Sequence, residues 1–430
     1  MAPVTELERS SSLLYKDFEQ HGVPAIVSAT GIYLGTQDGR TILDATSGAA
    51  VACLGYGNPD VQKAMVDQMM HLCYCHPGFY KTQVAEDLAD FLVATTNGVM
   101  SKALLCGSGS EAVEVALKLA KTYFAHLPEP QPERTRFIAR AGAWHGATLG
   151  ALTLGDFRGR KDPFVSLLSQ NCSRVSACST YRGARAGESD NEYAQRLAQE
   201  LDDEFRRIGP HRVCAFVAET VGGSASGCAV PVPGYFAAVK AVCERHGALL
   251  ILDEVMCGMG RTGTLHAWEQ EGVEPDIQAT YMAHPLAAAA ALRTQQVVQQ
   301  QRLVPHVRDV GAYLGRRLRD ALLPHPNVGD VRGRGLFWAV ELVADKQKKT
   351  PFPSKLGVSG RLHARGMSKG YEVALFAANG TCDGYVGDHF LICPPYVVSR
   401  QDVDEIVYRV ALVVQDTMAE VATQYSLKDI

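Results

Sequence analysis

The chain predicts an α/β fold: a mostly parallel sheet covered by helices, with a smaller α+β unit beside it. Three observations carry this expectation. Short continuous apolar runs, Val213-Cys214-Ala215-Phe216-Val217-Ala218 and Leu249-Leu250-Ile251-Leu252, alternate with amphipathic helical stretches such as 235–246, the pattern of strands buried on both faces. With 430 residues the chain exceeds one ordinary core and fits two or three packed units. After a long helical stretch, 303–322, the pattern turns to mixed strand and helix.

The elements follow in order. Gly31-Ile32-Tyr33-Leu34 and Ile42-Leu43-Asp44 flank Asp38-Gly39, which reads as a hairpin with its turn at that pair. Ser108-Gly109-Ser110-Glu111-Ala112 opens a helix continued by Val113, Leu117 and Ala120. Arg136-Phe137-Ile138-Ala139 reads as a strand leading to Trp144-His145-Gly146. The polar stretch 182–200 runs into a helix marked by Tyr193, Leu197, Leu201 and Phe205, a surface excursion within a domain. Residues 287–292 are alanine-rich and continue into Gln295-Gln296 and Gln299-Gln300-Gln301, which suits a surface helix. Val328 to Leu342 reads as two strands joined by the bend Gly333-Arg334-Gly335. The domain division expected is 1–65 contributing to a small domain, 66–310 as the large domain, and 311–430 as the C-terminal small domain.

Bulk properties exclude several classes. With 47% hydrophobic and 20% charged residues the composition is that of an ordinary globular protein. A net charge of -4 supplies no basic footprint for nucleic acid. The 12 cysteines form no repeating frame and read as reduced thiols of a cytoplasmic protein. No apolar stretch reaches membrane-spanning length, and the N-terminus lacks the pattern of a signal peptide.

Four clusters could carry chemistry. Small residues at Gly109 and Ser110 leave helix N-terminal amides free to grip a phosphate; taken alone, an ordinary Ser108 N-cap with Glu111 in a capping box is the favoured reading. Trp144 could lie against a planar cofactor, but on those residues alone a core tryptophan beside a buried His145 is preferred. Glu219 and Asp253 close two apolar strands, where an open α/β sheet has its ligand crevice. An aspartate there can hold a protonated ring nitrogen, and a helix N-cap competes with that reading for each one singly. His71, Cys73, Cys75 and His76 match no zinc spacing and read as a helix-to-loop transition.

Taken together, Ser108-Gly109-Ser110, Trp144-His145-Gly146, Glu219 and Asp253-Glu254-Val255 through Gly263 resemble the ordered landmarks of class III aminotransferases. These are fold-type I enzymes dependent on pyridoxal 5′-phosphate. The resemblance extends from Asp38-Gly39 to Gly333-Arg334-Gly335 and Cys393-Pro394-Pro395-Tyr396. It implies that Gly109 and Ser110 hold the cofactor phosphate, Trp144 stacks on its ring, and Asp253 binds the ring nitrogen while Val255 packs on the other face. It further implies that His145 accompanies Trp144 at the cofactor and that Glu219 lies near the substrate, although Thr220 replaces the usual following proline. Thr280 would come from a neighbouring subunit to the phosphate, in a homodimer acting on a small-molecule amino donor and a keto acceptor.

One departure is severe. No lysine occurs in residues 241–345, where such enzymes carry the Schiff-base lysine that bonds the cofactor. In relatives a strand, that lysine, a glycine-rich loop and another strand lie between positions matching Ala279 and Thr280, so the sheet is expected to be incomplete. A contiguous loss beside intact flanks points to a skipped exon or an erroneous gene model rather than to drift. The resemblance implies transfer of an amino group between an amine or amino acid and a keto acid or aldehyde, impaired in this chain. A non-catalytic cofactor-binding or dimer-partner protein, or a racemase or decarboxylase on the same scaffold, are the alternatives. The absence of an arginine just before Cys393 favours an amine or an unusual amino acid as substrate.

Overall fold

The computed structural model describes residues 24–279 and 285–424. At its centre is a five-stranded sheet in the order β5 (Cys172–Val175), β4 (Arg136–Arg140), β6 (Val213–Glu219), β7 (Leu249–Asp253), β8 (Ile277–Ala279). Every neighbouring pair is parallel, so each connection must cross over. Helix Asp190–Ile208 precedes β6, and helix Tyr235–Arg245 joins β6 to β7. All seven residues of β6 are buried, because alternate side chains enter different cores. Phe216, Ala218, Leu250 and Leu252 pack with Tyr193, Leu201, Phe205, Phe236 and Val239 of those two helices. Ala215, Val217 and Ile251 face the other way, onto Val113, Ala116, Ala120 and Phe124 of helix Gly109–Ala125.

The helix over Asp190–Ile208 starts where its sequence says it should. Ser189 and Glu192 form a reciprocal capping box, and Gly209 ends the helix with φ of 94°, the left-handed region where glycine carries no Cβ penalty.

β8 pairs with β7 on one side, and no strand of the described residues lies on its other side. An apolar hollow of about 440 Å³ opens there, lined among others by Val93, Val99, Leu105, Val115, Leu119 and Ile277. Residues 101–106 border it without regular structure. Their run Ala103-Leu104-Leu105-Cys106 has a strand's composition, yet their backbone groups make no hydrogen bond within the described residues.

A second sheet, in the order β12 (Phe376–Ala378), β13 (His389–Ile392), β10 (Phe337–Leu342), β9 (Val328–Arg334), is antiparallel throughout. It packs on helices Leu303–Leu322 and Arg400–Gln424 through Trp338, Val340 and Ile392 against Val310, Leu314, Ile406 and Val410. The bend between β9 and β10 needs its glycine: Gly335 has φ of 58°, and a Cβ there would fall 2.6 Å from the Arg261 carbonyl oxygen. In the third sheet β1 (Ile26–Thr30), β2 (Tyr33–Thr36) and β3 (Thr41–Asp44) form antiparallel pairs, with Asp38-Gly39 in the β2–β3 turn. β11 (Val373–Ala374) then adds parallel to β3, joining segments from opposite ends of the chain.

The alanine-rich stretch lies in helix Pro285–Gln300, which buries Ala288, Ala289, Val297 and Val298 and packs against helices Pro59–His71 and Gln83–Thr95. The expected surface helix is therefore bedded on two others. His71 ends its helix, and no group of the described residues could hold a metal ion. No helix among them is long and apolar enough to cross a membrane.

Candidate active site

Parallel register sets two carboxylates side by side: Glu219 at the end of β6 is opposite Asp253 at the end of β7. Both are buried. Asp253 Oδ2 accepts from His145 Nδ1 at 2.8 Å, and Oδ1 accepts from the Val255 amide at 3.1 Å. A carboxylate can only accept, so the His145 proton on this side sits on Nδ1. His145 Nε2, though buried, has no hydrogen-bond partner. Glu219 Oε1 accepts from the Gly223 amide at 2.7 Å. Burial pushes the Glu219 carboxyl above its usual range, opposed by His145 and reinforced by Asp253.

Helix Gly109–Ala125 points its start at the same place. Ser108 is its N-cap, its Oγ accepting from the Glu111 amide at 3.1 Å, while Glu111 Oε2 reaches past it to the Gly107 amide at 2.6 Å. The plain N-cap reading of Ser108 therefore holds, without a reciprocal box. It leaves the amides of Gly109 and Ser110 with no acceptor among the described residues, which is the phosphate-receptive arrangement of a helix N-terminus. Ser110 Oγ accepts from the Ala147 amide at 2.9 Å, tying the loop after β4 to the helix. That contact requires Gly146, whose φ is 131° and whose Cβ would lie 2.6 Å from Ser110 Oγ. Gly109 packs as tightly, since a Cβ there would fall 2.6 Å from Val255 Cγ1.

Trp144 is half-buried and lines the crevice, so the core-tryptophan reading fails. His145 is buried as its bland reading expects, but its partner is Asp253. The Arg160 guanidinium lies over the Trp144 ring at 4.8 Å and the Phe157 ring at 5.1 Å.

One pocket of about 280 Å³ brings the predicted residues together: Gly109, Ser110, Trp144, His145, Glu219, Asp253 and Val255 all line it. Thr280 lies outside the described residues. Sequence reasoning missed Arg160, Ser224 and Phe376, which line the same pocket. Phe376 comes from β12, far along the chain, and Arg160 sits in a charged stretch with no motif to mark it. It also missed the role of Glu254. That buried carboxyl accepts from the Ala267 and Trp268 amides at 2.9 and 2.8 Å and from Thr220 Oγ1 at 2.9 Å. Burial raises it to about 7, against those bonds. The threonine that departs from the family pattern thus has a partner of its own.

A helix N-terminus for an anion, a buried carboxylate for a cationic ring nitrogen and an aromatic wall together suit a planar, phosphorylated heterocycle. Comparison with known proteins agrees. The chain matches the family described as Aminotransferase class-III over residues 17–279 and 278–414, two segments that meet at Ala279. An aminotransferase of Gibberella zeae is 46% identical over 423 residues, covering 90% of this chain and 82% of that protein. An uncharacterized aminotransferase of Schizosaccharomyces pombe is 42% identical over 448 residues, covering 96% of each. Among solved structures, the omega transaminase of Pseudomonas jessenii in complex with PMP superposes with a TM-score of 0.87 at 28% identity, covering 96% of this chain and 97% of that one.

Proposed function

The chain belongs to the class III aminotransferase family, and on that premise we propose that its site is built to transfer an amino group between an amine or amino acid and a keto acid or aldehyde. The carrying observation is the convergence of seven sequence-predicted residues on one pocket. Enzymes of this family use pyridoxal 5′-phosphate. When bound, it supplies an aldehyde for the amino group and a ring that withdraws electrons from the adjacent carbon.

The residues present fit that group. The unpartnered amides of Gly109 and Ser110 would take its phosphate, and the hydroxyl of Ser110 lies beside them. Asp253 would hold a proton on the ring nitrogen, oriented by the His145 and Val255 bonds to its two oxygens. Trp144 and Val255 would bracket the ring, and Glu219 would face the substrate.

We also propose that turnover by this chain is impaired, because no lysine in 241–345 can bond the cofactor or move a proton at the substrate carbon. Three observations support a missing block. The family match breaks at Ala279. The alignment with the S. pombe protein spans 448 residues, more than this chain's 430, so that relative has residues without a counterpart here. The open edge of β8, the unbonded backbone of 101–106 and the apolar hollow between them have the shape of a strand's absence, and backbone groups are seldom left unpaired without cause. If the junction is natural, the same absence favours a non-catalytic cofactor-binding protein.

A homodimer is supported by the exposed Met65, Val66, Met69, Met70, Phe79 and Tyr80, an apolar patch of the kind that marks an interface. The pairing of β3 with β11 supports 1–65 contributing to the small domain, beside 66–310 and 311–430. All 12 cysteines are unpaired, which supports a reducing, cytoplasmic setting.

The decisive experiment is titration of purified protein with pyridoxal 5′-phosphate, followed by borohydride and peptide mapping. Reversible uptake without a covalent label supports binding at an impaired site; no uptake at all overturns the reading.

A further inference from the structure

The apolar hollow beside β8 lies between two stretches of unpaired backbone. Among the described residues β8 pairs through one edge only, with β7, and residues 101–106 make no backbone hydrogen bond. Both stretches line the hollow of about 440 Å³. Its walls belong to two different cores. Val99 packs against the core of Phe216, Leu250 and Leu252, whereas Val115 and Ile277 pack against that of Ala215, Val217 and Ile251. At the rim Leu104 is 56% and Leu119 44% exposed. The charged side chains in the lining are Lys102, which is exposed, and Asp276, and Asp276 is already paired with Lys240 at 2.9 Å.

These features specify an occupant. Two stretches that each lack a partner are both satisfied by one extended segment with its own two edges free. A helix cannot answer them, because its amides and carbonyls bond internally. The edge strand of another folded sheet cannot either, because one of its edges is already paired. Successive side chains of an inserted strand would point to opposite faces, and here each face is a core wall. The segment is therefore a continuous apolar run rather than an alternating one. Outside the described residues this chain has no apolar run longer than Met1-Ala2-Pro3-Val4, whose proline cannot donate a ladder bond.

We infer that this slot is a docking site for an uncharged apolar segment of another chain, which enters as an inserted strand between β8 and 101–106. Such docking is independent of the cofactor, whose proposed residues line a separate pocket.

The test is fluorescence anisotropy of the full chain with a labelled, capped peptide of five alternating valines and isoleucines, flanked by lysines for solubility. A second peptide is N-methylated at every other amide, which blocks one hydrogen-bonding edge. A third carries glutamate at every other position, which charges one face. Saturable binding of the first peptide is expected, at least roughly ten-fold weaker for each of the others. Amides of 101–106 and 277–279 should exchange at least roughly ten-fold more slowly when the first peptide is bound. Val115→Lys in the wall should weaken binding by roughly ten-fold or more, and Leu119→Lys at the rim by less. Absence of saturable binding overturns the inference. So does equal affinity for the N-methylated peptide, which marks a greasy surface rather than a strand site, or equal affinity for the glutamate peptide. Binding that leaves 101–106 unprotected overturns it too, as does protection of 101–106 in the free protein, which means that the chain or a second copy already fills the slot. Should Val115→Lys misfold, Leu119→Lys decides: weakened binding supports the docking site, and unchanged binding overturns it. A protein that binds the first peptide as expected but takes up no pyridoxal 5′-phosphate supports the docking site and sinks only the aminotransferase reading.

Discussion

β7 and β8 lie side by side in one parallel sheet, yet among the described residues only β7 has a strand on each flank. β7 delivers Asp253 into a pocket where each carboxylate oxygen already has a donor. β8 ends at Ala279 beside an apolar hollow and a backbone segment with no hydrogen-bond partner among the described residues. The contrast shows that the candidate cofactor pocket is assembled beside a sheet whose edge is open among the described residues. The residues proposed to hold the cofactor come from strands and a helix packed into two full cores; the lysine would come from beyond the open edge.

Hydrogen exchange would test the contrast most directly. Amides of β6 and β7 are expected to exchange only on global opening, at least about a thousandfold slower than an unprotected amide. Those of 101–106 are expected to show almost no protection. Comparable protection in both regions would mean the open edge is covered in solution. Next in size is restoration: a chain carrying a lysine-bearing block between Ala279 and Thr280 should gain roughly 10²–10⁴-fold in transamination rate, read as the first turnover of an amino donor. An inserted block with the lysine changed to alanine should protect 101–106 without that gain, separating sheet repair from chemistry.

A third prediction concerns pH. The Glu254 carboxyl sits at about 7 when folded, against an ordinary 4.5. Between those values the folded protein keeps a proton that the unfolded chain has released, so stability falls as pH rises from about 4.5 to about 7. The change is on the order of 3 kcal/mol. Urea unfolding at pH 5 and pH 7.5 should show this loss in the unaltered protein and a smaller one in E254Q, where Glu219 and the other buried carboxyls held above their usual range still contribute. Asp253→Ala should cost about 1–3 kcal/mol in the same assay, because it strands a buried imidazole N–H, and should weaken uptake of pyridoxal 5′-phosphate. The smallest effect is expected from Gly109→Ala. Its Cβ would press on Val255 Cγ1, but Val255 is 41% exposed and has room to move, so a cost near the low end of about 1–3 kcal/mol is expected.

Much of this was legible without coordinates. The runs of β6 and β7 read as strands because both faces are buried, leaving no polar alternation. Helix 303–322 and the hairpin at Asp38-Gly39 likewise declared themselves through local periodicity and turn chemistry. The run Ala103-Leu104-Leu105-Cys106 shows the limit: a strand's composition does not make a strand when no neighbour among the described residues pairs with it. Arg160 was invisible for a different reason. It sits in a charged stretch without a motif, and its place in the pocket depends on residues distant in the chain.

The sequence by itself determined the order of landmarks, the α/β class and the absence of a lysine from 241–345, because these are properties of residue identity and local spacing. Tertiary structure alone decided that Glu219 and Asp253 end level, that His145 rather than solvent holds Asp253, and that Phe376 and Arg160 share their pocket. Strand register and the packing of distant segments fix those relations, and neither is a function of any short stretch of chain.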